Sequence, residues 1–142
     1  MAIRPIRIIG DPVLRTVCDP ITEITPNVKA LVEDLLEGVD MDGRAGLAAN
    51  QIGSRKAVIA YNDNGRTFVM YNPHLESGLQ RFSTVEECLS LDEPSVVERF
   101  KMIRVSYEVF AGGKLEKRTR KFTGWAAQAV QHAIDHCEGK LV

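Results

Sequence analysis

His132 and His136 stand four residues apart in the run Gln131-His132-Ala133-Ile134-Asp135-His136. On a helix their side chains fall on one face, about 40° apart, so both imidazoles can reach a single ion. The spacing is that of the metal-hydrolase motif H-E-x-x-H, in which the residue after the first His is a Glu acting as general base. Here that residue is Ala133. The pattern keeps a metal site and lacks the side chain that works beside it. An H-x-x-x-H pair alone is weak support, because two histidines on one helical face also serve as a hydrogen-bonded polar pair.

A third ligand candidate is Cys88, in Glu86-Glu87-Cys88-Leu89-Ser90 at the end of a strand-like stretch. A thiolate with two imidazoles suits a borderline or soft divalent ion. The long gap between Cys88 and His132 is unlike the paired ligands of a zinc finger. Three protein ligands leave a fourth position for water, the catalytic pattern. A further segment, Gly46-Leu47-Ala48-Ala49-Asn50-Gln51-Ile52-Gly53, is small, bounded by glycine and carries the Gln51 amide. It lets a backbone approach a ligand and fixes one polar side chain. It also reads simply as a tight loop after a long helix.

These residues must be carried by one domain, 1–142, long enough to bury a core. Net charge is −1, so nothing favours nucleic acid or an anionic membrane as a partner. No apolar run approaches a membrane span, and the start MAIRPIRIIGDPVL lacks the apolar region and cleavage site of a signal peptide. A cytoplasmic location is the expectation. Three cysteines, Cys18, Cys88 and Cys137, argue against a disulfide framework. Cys137 points about 100° away from His136 on a helix and reads as a packing residue, as does Cys18.

Asp11-Pro12 opens a short helix, and Thr25-Pro26 opens an amphipathic helix over 26–41. Lys56–Tyr61 and Thr67–Tyr71 read as strands joined by a hairpin turn at Asn62-Asp63-Asn64-Gly65. Ile103, Val105, Tyr107 and Val109 alternate with polar residues, predicting a half-buried strand. A turn at Ala111–Lys114 leads into Leu115–Phe122, where the basic run Lys114–Lys121 reads as a solvated face. The last helix spans about Thr123 to Glu138, with Thr123 as cap and Gly139 as stop. This order predicts an α+β domain with the last helix packed on the sheet.

Gly-Leu-Ala-Ala-x-Gln, then Glu-x-Cys-Leu-Ser, then Gln-His-x-x-Asp-His, in this order, closely resemble the motifs of the peptide deformylases. Ile9-Gly10-Asp11-Pro12-Val13-Leu14 resembles the same family, and the likeness covers nearly the whole chain. It implies a peptide-deformylase-like α+β fold, with antiparallel or mixed sheets around a C-terminal metal-binding helix. It implies removal of the formyl group from the N-terminal formyl-methionine of nascent polypeptides. Cys88, His132 and His136 would hold one divalent ion, natively Fe(II), with Zn, Ni or Co as substitutes. Gln51 and the backbone N–H of Leu89 would donate to the oxyanion at the formyl carbon. Gly46 would line the substrate path, with Arg44, Glu87, Trp125, Gln128 and Ala129 around it.

In the family, the Glu at the position of Ala133 takes the proton of the attacking water and passes it to the leaving amine. Ala133 can do neither. Asp135 matches a family Asp and is expected to support the ligands rather than act as base. Glu87 adjoins Cys88, but adjacent strand residues face opposite ways, so it is a poor substitute. The resemblance therefore implies a metal-binding chain with severely reduced turnover. Arg44, Asn50, Glu87, Trp125 and Gln128 depart from the family pattern. Ala133 fits either an engineered variant or a natural inactive paralogue, and the alternative function is a non-catalytic, metal-containing binder of formylated N-terminal peptides. Family members with a longer C-terminal helix can contact the ribosome through it. The sequence shows no such extension, so only a transient ribosome contact is expected.

Overall fold

The structure is a computed structural model and describes residues 4–40 and 45–142. Arg44 lies outside the described residues. One antiparallel sheet is built in chain order from β1 (Gly46–Ala48), β2 (Val58–Asp63), β3 (Arg66–Glu86), β4 (Ser95–Ala111) and β5 (Lys114–Thr123). Helix α1 (Pro26–Val39) precedes the sheet and α2 (Gly124–Cys137) follows it. This is the expected α+β fold, with every ladder between the named strands antiparallel.

Two helices share the sheet because β1 and β2 are apolar on both faces. Leu47, Val58 and Ala60 pack toward α1 with Val28, Leu31, Leu35 and Val39. Ala48, Ile59 and Tyr61 point the other way, to Ala127, Val130, Ala133 and Ile134 of α2. A strand covered on both sides reads as a continuous apolar run. Each fully buried aliphatic side chain here, Leu35 for example, contributes about 1.5–3 kcal/mol.

The strands are longer than the sequence predicts. Only Asn64 (φ 53°) and Gly65 (φ 79°) form the β2–β3 turn, a positive-φ pair suited to Asn-Gly. Asn62 and Asp63, expected in that turn, still pair with Thr67 and Arg66. Strand β3 runs on from Tyr71 to Glu86 through register shifts at Tyr71/His74 and Leu75/Ser77. Such bulges break the two-residue alternation that marks a strand and bend it locally. Strand β4 begins at Ser95, before the expected Ile103.

Thr25 Oγ1 accepts from the Val28 N–H at 3.2 Å, capping α1. Thr25→Ala should lower stability by about 1 kcal/mol, read as a lower urea midpoint with unchanged slope. Thr123 precedes α2, but its side chain makes no capping bond. It still pairs with Met102, so the sheet rather than the helix directs its side chain. At the other end Gly139 N–H donates to His136 O (2.9 Å) and Lys140 N–H to Asp135 O (3.0 Å). These two bonds close the helix in a Schellman motif around the left-handed Gly139 (φ 78°). Asp11 caps a single 3-10 turn, Pro12–Arg15, and the chain then passes the end of α2. Among the described residues no helix is long and apolar enough to cross a membrane.

Candidate metal centre

Three donors converge between α2 and the end of β3. His136 Nε2 lies 3.1 Å from His132 Nε2 and 3.1 Å from Cys88 Sγ. The three ligand atoms lie within 4.8 Å of one another and could hold a metal ion. The helical i, i+4 spacing aligns the two rings. Cys88 enters from a turn two residues past β3, closed by Leu91 N–H to Cys88 O at 3.1 Å. His136 is fully buried; its Nδ1 has no hydrogen-bond partner among the described residues, and its Nε2 faces the other two donors. Soft sulfur plus two imidazoles, close-set and half enclosed, fits a divalent transition ion.

The orientation of His132 is fixed from behind. Its Nδ1 lies 2.6 Å from Glu86 Oε1. A carboxylate only accepts, so Nδ1 carries a proton and Nε2 is the atom turned toward Cys88 and His136. Glu86 is itself held by Arg99 Nε (3.0 Å) and Nη2 (2.8 Å) and by Gln128 Nε2 (2.8 Å). Arg99 Nη1 reaches Asp135 Oδ2 at 2.6 Å, tying β4 to α2. Asp135 is thus committed to Arg99, and Glu87 is exposed while Cys88 turns inward.

The electrostatics follow from this packing. Burial pushes the Glu86 carboxyl up, but bonds from His132, Arg99 and Gln128 outweigh it and hold the pKa at about 2. Burial likewise opposes ionisation of Cys88, yet bonds with His132 and His136 bring its thiol down to about 6. Burial disfavours charge on His132, but Cys88 and Glu86 raise it to about 9. The Cys88 sulfur and the Glu86 carboxylate favour positive charge where the three donors meet, and a bound cation would take the place of the Nε2 proton.

A cavity of about 480 Å³ opens beside Cys88 and His132. Its walls include Gly46, Gln51, Glu87, Leu89, Trp125, Gln128 and Ala129, all named from sequence, together with Ala45, Val85 and Glu86. Gln51 is buried, and its Oε1 accepts from the Ala48 N–H at 3.0 Å. That bond aims Nε2 at Ser90 Oγ (3.3 Å) and Cys88 Sγ (3.6 Å). The Leu89 N–H has no acceptor among the described residues. Gly46 lies against α2: a Cβ there would come 3.2 Å from Ala129 O and 3.7 Å from Ala133 Cβ. Ala133 itself is buried, one residue past His132 and behind the cavity wall.

Sequence reading missed Glu86 and Arg99. The signal was parity. Glu86 is two positions from Cys88, on the same side of an extended chain. Arg99 falls in phase with Val97, Ile103 and Val105, and a charge on a buried phase requires a partner.

Residues 3–142 match the model of the polypeptide deformylase family. A peptide deformylase from Dictyoglomus thermophilum is 36% identical over 145 residues, covering 99% of this chain and 90% of that protein. The crystal structure of peptide deformylase from Thermotoga maritima superposes with a TM-score of 0.89 at 30% identity, covering 99% of this chain and 95% of the other. A class I type b peptide deformylase from Acinetobacter baumannii, solved with Met-Ala-Ser bound, gives 0.89 at 25% identity, over 99% and 97% of the two chains. The match spans both helices, the whole sheet and all three donors, and the chain belongs to the polypeptide deformylase family.

Proposed function

We propose that this chain is a deformylase-type metal hydrolase for formyl-methionyl N-termini, with its general base missing at Ala133. Cys88, His132 and His136 would hold one divalent ion, Fe(II) or a Zn, Ni or Co substitute. Such an ion, when bound, acts as a Lewis acid and brings the pKa of water toward neutrality. Gln51 Nε2 and the Leu89 N–H would hold the negative oxygen that develops on the formyl carbon. Each preplaced donor of this kind contributes a few kcal/mol to the barrier. Gly46 would admit the peptide backbone, while Trp125, Gln128 and Ala129 would border the first side chain. Among the described residues, the carboxylates near the centre are engaged or turned away, so the proton of the attacking water has no nearby acceptor.

The observation that carries this reading is the aim of Gln51. Its amide points at the sulfur of a three-donor cluster and is locked there by the Ala48 N–H. A second reading, a non-catalytic holder of formylated peptides, is favoured by Ala133 beside an otherwise furnished cavity.

Metal analysis tests the first step. The chain should carry one nickel or cobalt ion and lose it on Cys88→Ala; equal retention by that variant sinks the ligand assignment. A formyl-Met-Ala-Ser peptide should bind the loaded chain in calorimetry while formate accumulates very slowly. In an Ala133→Glu background, Gln51→Ala should lower kcat by about 10²- to 10³-fold with the metal retained.

A further inference from the structure

Cys18 and Cys137 take no part in the metal centre, yet they sit together. Both are buried, at 8% and 7% exposure, and both are free thiols. The Cys18 N–H donates to the Cys137 carbonyl at 2.8 Å. Bond lengths then limit their Cα–Cα separation to roughly 6.7 Å, inside the span of a disulfide. Both side chains belong to one buried apolar cluster with Ala48, Val130 and Ile134, and the Cys137 thiol faces the Val58 carbonyl at 4.0 Å. The neighbouring Cys137 side chain, with a smaller contribution from the Asn50 backbone, holds the Cys18 thiol below its usual range despite burial. The Asn50 side-chain amide in turn donates to the His136 carbonyl. The thiol pair thus lies where the N-terminal segment, the Gln51 turn and the last turn of α2 meet.

We propose that Cys18 and Cys137 are a peroxide-reactive dithiol that closes to a disulfide, joining the N-terminal segment to the end of the metal-bearing helix. Cys18 Sγ attacks one peroxide oxygen and the O–O bond breaks, giving a sulfenic acid and releasing water after proton transfer. Cys137 Sγ then attacks the Cys18 sulfur; the S–O bond breaks, the disulfide forms and a second water leaves. Two thiols lose two electrons and hydrogen peroxide gains them. The pairing is independent of the deformylase reading.

Zinc-loaded protein would be treated with rising hydrogen peroxide, quenched with iodoacetamide under denaturing, chelating conditions and mapped without reduction. The expected product is a Cys18–Cys137 cross-linked peptide, lighter by two hydrogens than its separate halves and released by a phosphine. Cys137→Ser should convert the Cys18 signal to sulfinic acid without any cross-link. Recovery of Cys18 and Cys137 as alkylated thiols at peroxide levels that oxidise Cys88 overturns the proposal. A cross-link through Cys88 instead overturns it equally.

Discussion

Ala133→Glu should raise the rate of formate release from a formyl-methionyl peptide by about 10²- to 10⁴-fold, with both proteins loaded with nickel or cobalt. The gain should lie in kcat, because the added group moves a proton rather than binding the peptide. Position 133 follows His132 directly and lies against Gly46, where a Cβ would come 3.7 Å from the Ala133 Cβ. A carboxylate there enters a buried site, so some stability is lost. A lower melting temperature together with faster turnover is the expected combination. If both proteins bind peptide and neither releases formate, the cavity has diverged and the holding role becomes the leading account.

Arg99→Ala should destabilise the protein by about 3–5 kcal/mol. Arg99 is 4% exposed and bridges two carboxylates, Glu86 on β3 and Asp135 on α2. Removing it leaves Glu86 buried with His132 and Gln128 as its partners among the described residues. The unpaired charge can be relieved by taking up a proton, which removes the acceptor that orients His132. Metal affinity should therefore fall by about 10- to 100-fold in the variant that still folds. Chemical denaturation and competition with a metal indicator read the two effects separately. Glu86→Gln is the control: it keeps an acceptor for His132 but no charge, and should retain metal better than Arg99→Ala. Equal stability of Arg99→Ala and the parent chain would rule out this role.

The ligand cluster could be read from the chain because helical spacing fixes His132 and His136, and a lone Cys before Leu-Ser stands out against them. The fold class followed from helix signals at Thr25-Pro26 and Gly139 and from the alternation around Val105. Strand β1 escaped because three residues are too few to show a period, and most of β3 escaped because its bulges interrupt the period it has. Glu86 and Arg99 escaped for a different reason. Their role depends on a pairing across β3, β4 and α2, and no local pattern encodes which buried charge meets which. The cap expected at Thr123 failed because that residue is still in a strand.

The Asn50–His136 contact spans 86 positions and Cys88–His136 spans 48. Contacts of such range form late, since the entropy of closing long loops must be met before they stabilise anything. An isolated α2 segment could turn helical and present two histidines, but it would lack the sulfur and the Gln51 amide. The donor cluster is therefore a reporter of completed tertiary assembly. The d–d absorption of a cobalt ion bound there would count native chains and pass over partly helical ones.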